Sequence, residues 1–246
     1  MLLAPAPQPI YFRDMPRVAS IEIVEDRTDR SRCDEGFLRL KRYVARNRRV
    51  DGSVSKLYPI DVIDRPTFDA VAVCLYARTS KGIEVLTRLG LRPAAHFRKG
   101  KASALPEPDY LLIEELVAGV IEPGERGMEA LKRRAAAEVL EESGVHLELD
   151  QFEPLGAPFF MLPGIASEKI HLLAAEIPRE ALGGAGEEEF EAPEEGDGSP
   201  LEEGALLRWR ELGQAISACE TGEIEDAKTE MGLRRLAAKM ARDPSR

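Results

Sequence analysis

Apolar residues recur along this chain at two spacings, and the places where the spacing changes mark its elements. Residues 37–50 and 53–64 alternate partly between apolar and polar positions on either side of Asp51-Gly52, which predicts a β-hairpin. Residues 69–78 (DAVAVCLYAR) and 83–91 (IEVLTRLGL) predict a second hairpin whose first strand is the more buried. The prolines, small residues and basic groups of residues 93–109 predict a loop, after which 110–121 (YLLIEELVAGVI) returns to strand. Residues 128–143 (MEALKRRAAAEVLEES) are rich in helix formers, and Gly144 is a natural stop. Strands follow at 152–160, 169–177 and 204–212, then helices at 212–222 and 226–242. This order predicts an α+β fold, or an α/β/α sandwich with a mixed sheet, without internal repeats.

Composition divides the chain further. Residues 1–35 are first Pro-rich and then charged, the pattern of an N-terminal arm. Seven acidic residues lie between Glu187 and Asp197 with Gly and Pro interspersed, so 178–200 is expected to be a flexible acidic insertion. The expected organisation is an arm (1–35), a β-hairpin subdomain (36–66) and one large domain (67–240). With 246 residues, 43% of them hydrophobic, the large domain can fill a sizeable core. A net charge of -10 argues against a nucleic-acid partner, which requires a basic surface to neutralise phosphates. Cys33, Cys74 and Cys219 are far apart, a spacing that favours neither zinc nor disulfides and fits a reducing cytosol. The opening MLLAPAPQPIYF lacks the features of a signal peptide, and no run reaches the ~18 apolar residues of a membrane span. The expectation is a soluble, cytoplasmic protein with no membrane partner.

The most informative cluster is Glu138, Glu141 and Glu142. Offsets of three and four put these carboxylates on one face of the 128–143 helix, where they repel one another unless a cation lies between them. A divalent ion supplies that charge, although such a trio is more often a solvated face.

Upstream of the cluster the sequence reads LVAGVIEPGE, then helix, then AEVLEESGV. This resembles the Nudix box, Gx5Ex7REUxEExGU with U apolar, and the chain as a whole resembles the ADP-ribose pyrophosphatase branch of Nudix hydrolases. Further matches are Arg92-Pro93, the run Glu115-Leu116-Val117-Ala118-Gly119, Pro163-Gly164 through Glu168, and GEIEDAKTEMGL near the end, together spanning about residues 36–240 in order. The resemblance implies a Nudix-type α/β/α sandwich and Mg²⁺-dependent (or Mn²⁺-dependent) hydrolysis of a nucleotide-sugar. ADP-ribose comes first, then UDP- or GDP-sugars. It also implies metal ligation by Glu138, Glu141, Glu142 and the Ala118 carbonyl, a general base at Glu203 or its neighbour Glu202, and substrate contacts from Arg92, Arg88 and Glu168. A homodimer using the 36–66 hairpin is the implied assembly.

Two departures from the box stand out. Ala137 replaces the Arg that precedes the first Glu, with Arg134 one turn earlier and in i,i+4 reach of Glu138. Gly119 lies eighteen residues before Ala137 where the box has fourteen, an insertion that lengthens the loop-helix junction and leaves Glu125 or Glu129 as the box's earlier Glu. These features keep two rivals open: a Nudix hydrolase of dinucleoside polyphosphates or nucleoside triphosphates, and a binding or regulatory protein with weakened turnover. Among single residues, Glu202 and Glu203 could simply extend the acidic tract, and Arg88 and Arg92 could solubilise a sheet edge. His171 reads as core or surface and Trp209 as packing.

Overall fold

The computed structural model describes residues 36–48, 50–183, 188–193 and 199–242. The chain runs β1 (Arg39–Ala45), β2 (Tyr58–Asp64), β3 (Ala70–Thr79), β4 (Gly82–Leu91), α1 (Pro93–His96), β5 (Leu112–Glu115), β6 (Val117–Val120) and α2 (Gly127–Ser143). It continues through β7 (Glu153–Pro154), β8 (Phe159–Phe160), β9 (Lys169–Glu176), β10 (Glu189–Glu191), β11 (Leu206–Glu211), α3 (Leu212–Thr221) and α4 (Ala227–Arg242). The architecture is α+β around a mixed sheet in the order β10-β11-β4-β3-β9-β7, with β3 and β9 parallel and every other pair antiparallel.

β3 is central because both of its faces are apolar. Val71, Val73, Leu75 and Ala77 pack with Ala135 and Val139 of α2, whereas Ala72, Cys74 and Tyr76 pack with Leu212 and Ala215 of α3 and Leu233 and Leu236 of α4. Side chains alternate along a strand, so one continuous apolar run serves two cores. Burial pushes the Cys74 thiol up to about 12, which leaves it an inert packing group.

The sheet forks in its middle. β3 pairs with β4 from Tyr76↔Val85 to Thr79↔Gly82, and the two strands then part. Into the gap come β5, paired with β4 (Arg88↔Glu115), and β6, paired with β3 (Ala72↔Ala118). The single strand expected over 110–121 is therefore two, broken at Leu116 where the chain changes partner. At the break the Leu116 N–H leaves the ladder and donates to Thr229 Oγ1 of α4 at 2.9 Å. Without that acceptor a buried amide would be unsatisfied, at a cost of about 1–3 kcal/mol.

Other expectations shift for local reasons. Residues 152–160 form two separate two-residue strands rather than one, both pairing with β9. The 93–109 segment begins with the short α1 and is fastened by Arg98 to Glu107 and Lys99 to Asp109. The acidic 178–200 segment carries β10, whose Glu189 is bound by Arg208 of β11, so pairing overrides its disorder-like composition in the described part. Residues 184–187, 194–198 and the arm at 1–35 lie outside the described residues.

β1 and β2 form a two-stranded sheet of their own, with Tyr43 opposite Ile60. It meets the main body where Ile63 N–H donates to the Ile165 carbonyl at 2.8 Å and Arg65 binds both Glu168 and the Phe68 carbonyl. Arg65 also lies 5.7 Å over the Phe37 ring. Replacing Arg65 with Ala removes all three side-chain contacts. The expected outcome is proteolysis in the 46–57 loop at least about threefold faster, with little change in the Tm of the main body. Unchanged cleavage would show that the backbone contact alone holds the hairpin.

Candidate functional site

α2 buries Ala130, Leu131, Ala135, Val139, Glu142 and Ser143, a stripe at spacings of three and four. Glu142 therefore lies on the apolar side of its helix, not on a solvated face. Its side chain is 9% exposed, accepts a hydrogen bond from the Ala118 N–H at 3.1 Å, and lies 3.6 Å from Arg88 Nη1. Arg88 is itself 2% exposed. That burial rules out the edge-solubilising role for Arg88, whereas Arg92 keeps partial exposure and pairs with Glu115.

Glu138 sits one turn earlier on α2, against Gly119. A Cβ built on Gly119 would stand 1.7 Å from Glu138 Oε1, so the carboxylate occupies space that only glycine leaves open. Glu138 and Glu142 thus both lie against the Ala118–Gly119 backbone of β6. Glu141, the residue before Glu142 on the helix, is half-buried. Arg134 stands 3.8 Å from Glu138 and hydrogen-bonds Glu125 through Nε and Nη2, each at 3.3 Å. Glu125, not Glu129, is consequently the earlier acid tied to the site, because Glu129 pairs outward with Arg133. Helix begins at Gly127, directly after Glu125-Arg126, so the segment from there to the acids is helix and not a lengthened loop.

From the late part of the chain, Glu202 reaches Arg88 and forms an ion pair with it. Glu203, its neighbour, is exposed and forms no side-chain ion pair or hydrogen bond among the described residues. Glu168 is held by Arg65 at the hairpin junction. His171 lies 3.3 Å from Asp69 in the wall of a cleft of about 500 Å³ beside the first turn of α2, which Glu125 also lines. Trp209 is buried as packing, with its Nε1–H donating to the Leu182 carbonyl at 3.2 Å.

Glu115 was not singled out as a site residue by its sequence position, yet it belongs to this cluster. It faces Arg88 across the β4–β5 pair, is almost wholly buried, and is flanked by Arg92 and Lys228. Its Oε1 lies against Arg92 without hydrogen-bond alignment, and Arg88 Nε likewise has no acceptor among the described residues. The available signal was the doublet Glu114-Glu115 inside an otherwise apolar strand run. Glu114 points to the other face, where it accepts hydrogen bonds from Thr87, Arg208 and Arg210. Lys228 is buried too. Burial opposes its charge, but Glu115 and Asp226 together hold its pKa above the ordinary lysine value.

Among the described residues, no three acidic, histidine or cysteine side chains converge as a ready metal shell. The residues nevertheless suit a hard divalent cation. The donors are carboxylate oxygens beside a strand backbone, and Gly119 leaves the room in which Glu138 lies. No protein-family model matches the chain, and no curated protein matches it. No helix among the described residues is long and apolar enough to cross a membrane.

Burial raises the Glu142 carboxyl above its ordinary range, against the opposing pull of the Arg88 guanidinium and the Ala118 N–H. Because the folded pKa exceeds the unfolded one, the group costs nothing below both values, and its cost grows as pH rises through the raised value. With a chelator present, Glu142→Gln is expected to gain stability relative to the parent chain as pH rises above the ordinary glutamate value of about 4.3. The check is the difference in Tm between the two proteins as pH is raised. A difference that stays flat, or turns against the variant, contradicts the raised carboxyl.

Proposed function

We propose that this chain is a Nudix-type pyrophosphohydrolase, dependent on Mg²⁺ or Mn²⁺, that cleaves a nucleoside diphosphate linked to a sugar. ADP-ribose is the favoured substrate, followed by UDP- or GDP-sugars. The observation that carries the reading is the approach of Glu138 and Glu142 to one stretch of backbone, Ala118–Gly119, with Glu202 brought to the same Arg88. Glu138, Glu142, Glu141 and the Ala118 carbonyl would hold the metal, which neutralises pyrophosphate oxygens when bound. Glu202, which the ion pair with Arg88 ties to the cluster, would take the proton of a water attacking phosphorus. The P–O–P bond breaks and a nucleoside monophosphate and a sugar phosphate leave. Arg92, partly exposed beside Glu115, suits the fork-like recognition of a phosphate.

Two features that favoured a weakened binding protein lose force in this geometry. Arg134 stands in for the side chain missing at Ala137, and the inserted residues extend a helix without displacing its acids. A homodimer is supported by the β1–β2 sheet. Two strands alone are marginally stable, and Phe37, Tyr43, Val44 and Leu57 are exposed on and around them.

The test is turnover of a panel comprising ADP-ribose, UDP- and GDP-sugars, a dinucleoside polyphosphate and nucleoside triphosphates, with Mg²⁺ or Mn²⁺. Release of nucleoside monophosphate from ADP-ribose at the highest kcat/KM is the expected result. No hydrolysis of any nucleotide-sugar with either metal would end the proposal, and a preference for triphosphates would move it to another Nudix substrate. Glu202→Gln is expected to lower kcat by about 100-fold or more, and Glu203→Gln by less than about threefold. The reverse ranking would give the base role to Glu203.

A further inference from the structure

We infer that Asp226, Lys228 and Thr229, at the start of α4, are positioning residues that hold the Ala118–Gly119 backbone in place for Glu138 and Glu142. The functional consequence rests on the metal-site reading above; the structural claim does not.

Leu116 is where the chain stops pairing with β4 and begins pairing with β3, so no strand neighbour fixes the corner there. Thr229 does so from α4. Its hydroxyl accepts the Leu116 N–H at 2.9 Å and donates to Asp226 Oδ2 at 2.6 Å, so the acceptor lone pair is oriented and not free to rotate. The same Asp226 oxygen takes the Thr229 N–H at 2.9 Å and Lys228 Nζ at 3.0 Å. Lys228 then reaches Glu115, the residue before the corner. Two consecutive residues, Glu115 and Leu116, are thereby gripped by one helix start.

Close approach makes the grip rigid. A Cβ on Gly232 would stand 2.6 Å from Leu116 Cδ1 and 2.9 Å from Cys74 Sγ, so α4 presses on the corner at a distance no larger residue permits. Two residues beyond Leu116, the Ala118 N–H donates to Glu142. A shift of the corner moves that donor and the Gly119 space together. Thr229 acts on the site through the Leu116 corner and β6, whereas Lys228 reaches it through Glu115 of the cluster.

The test compares the full chain with Thr229→Val, Thr229→Ser and Asp226→Asn, using amide hydrogen exchange and Mn²⁺ titration without nucleotide. Thr229→Val is expected to speed exchange at Leu116 and Ala118 by about tenfold or more, with Leu173 of β9 changing less than about twofold. Mn²⁺ affinity is expected to fall about tenfold in step. Thr229→Ser keeps the hydroxyl and is expected to restore both readouts. Asp226→Asn, which retains an acceptor but loses the charge, gives the same pattern more weakly and serves if Thr229→Val does not fold. Unchanged Ala118 exchange in Thr229→Val overturns the inference. So does a loss spread equally over Ala118 and Leu173 that Ser does not reverse. If the parent chain binds no Mn²⁺, the metal reading falls, and Ala118 exchange still decides the positioning role.

Discussion

A carboxylate set on the apolar stripe of a helix must be given partners, and much of this molecule follows from that requirement at Glu142. An ionised group in a low-dielectric setting is costly unless hydrogen-bonded or paired. The protein answers with a backbone N–H from β6 and a guanidinium from β4. Arg88 is buried in turn and needs more than one acid, which draws Glu202 in from the loop before β11. The cross-strand neighbour Glu115 adds another negative group, and Arg92 and Lys228 answer it. One misplaced charge thus recruits side chains from β4, β5, α4 and a late loop into a single network. Ion pairs of this kind rarely add net stability, since desolvation offsets attraction. Their use is to fix where chemical groups stand.

The helices α2, α3 and α4 and the strand β3 were legible because each carries a strong period or a long apolar run with clear stops. The fork was not. YLLIEELVAGVI is apolar enough to read as one strand, and nothing in its periodicity announces a change of partner at Leu116. β10 was hidden by composition, because an acidic tract with Gly and Pro looks disordered until Arg208 binds Glu189. Of the site, the acid trio was visible as spacing, but its burial was not, since a face is assigned to solvent or core only by what packs on it. Glu202 and Glu203 are adjacent and alike in sequence. Only the turn at 200–204 separates them, sending one to Arg88 and the other to solvent.

In the Nudix reading proposed above, Ala137 departs from the box in letter while a cation remains on the same helix face. Arg134 lies one turn earlier on the same helix face, and its long side chain spans Glu125 and Glu138. In that reading the four additional residues amount to slightly more than one helical turn, roughly 6 Å of rise, which leaves the later acids facing nearly the same way. An insertion of two residues would have rotated them away from β6. What is retained is the facing of the helix.

The contact between Leu116 and Thr229 joins residues 113 positions apart. Closing so long a span costs chain entropy that local pairings do not, so early structure belongs to neighbours such as β3 and β4, joined by a two-residue connection. The corner beside Ala118 is sealed only by α4. During synthesis the growing polypeptide therefore holds β6 in an unfinished frame until α4 has been made, and the corner is set long after the strands that it joins.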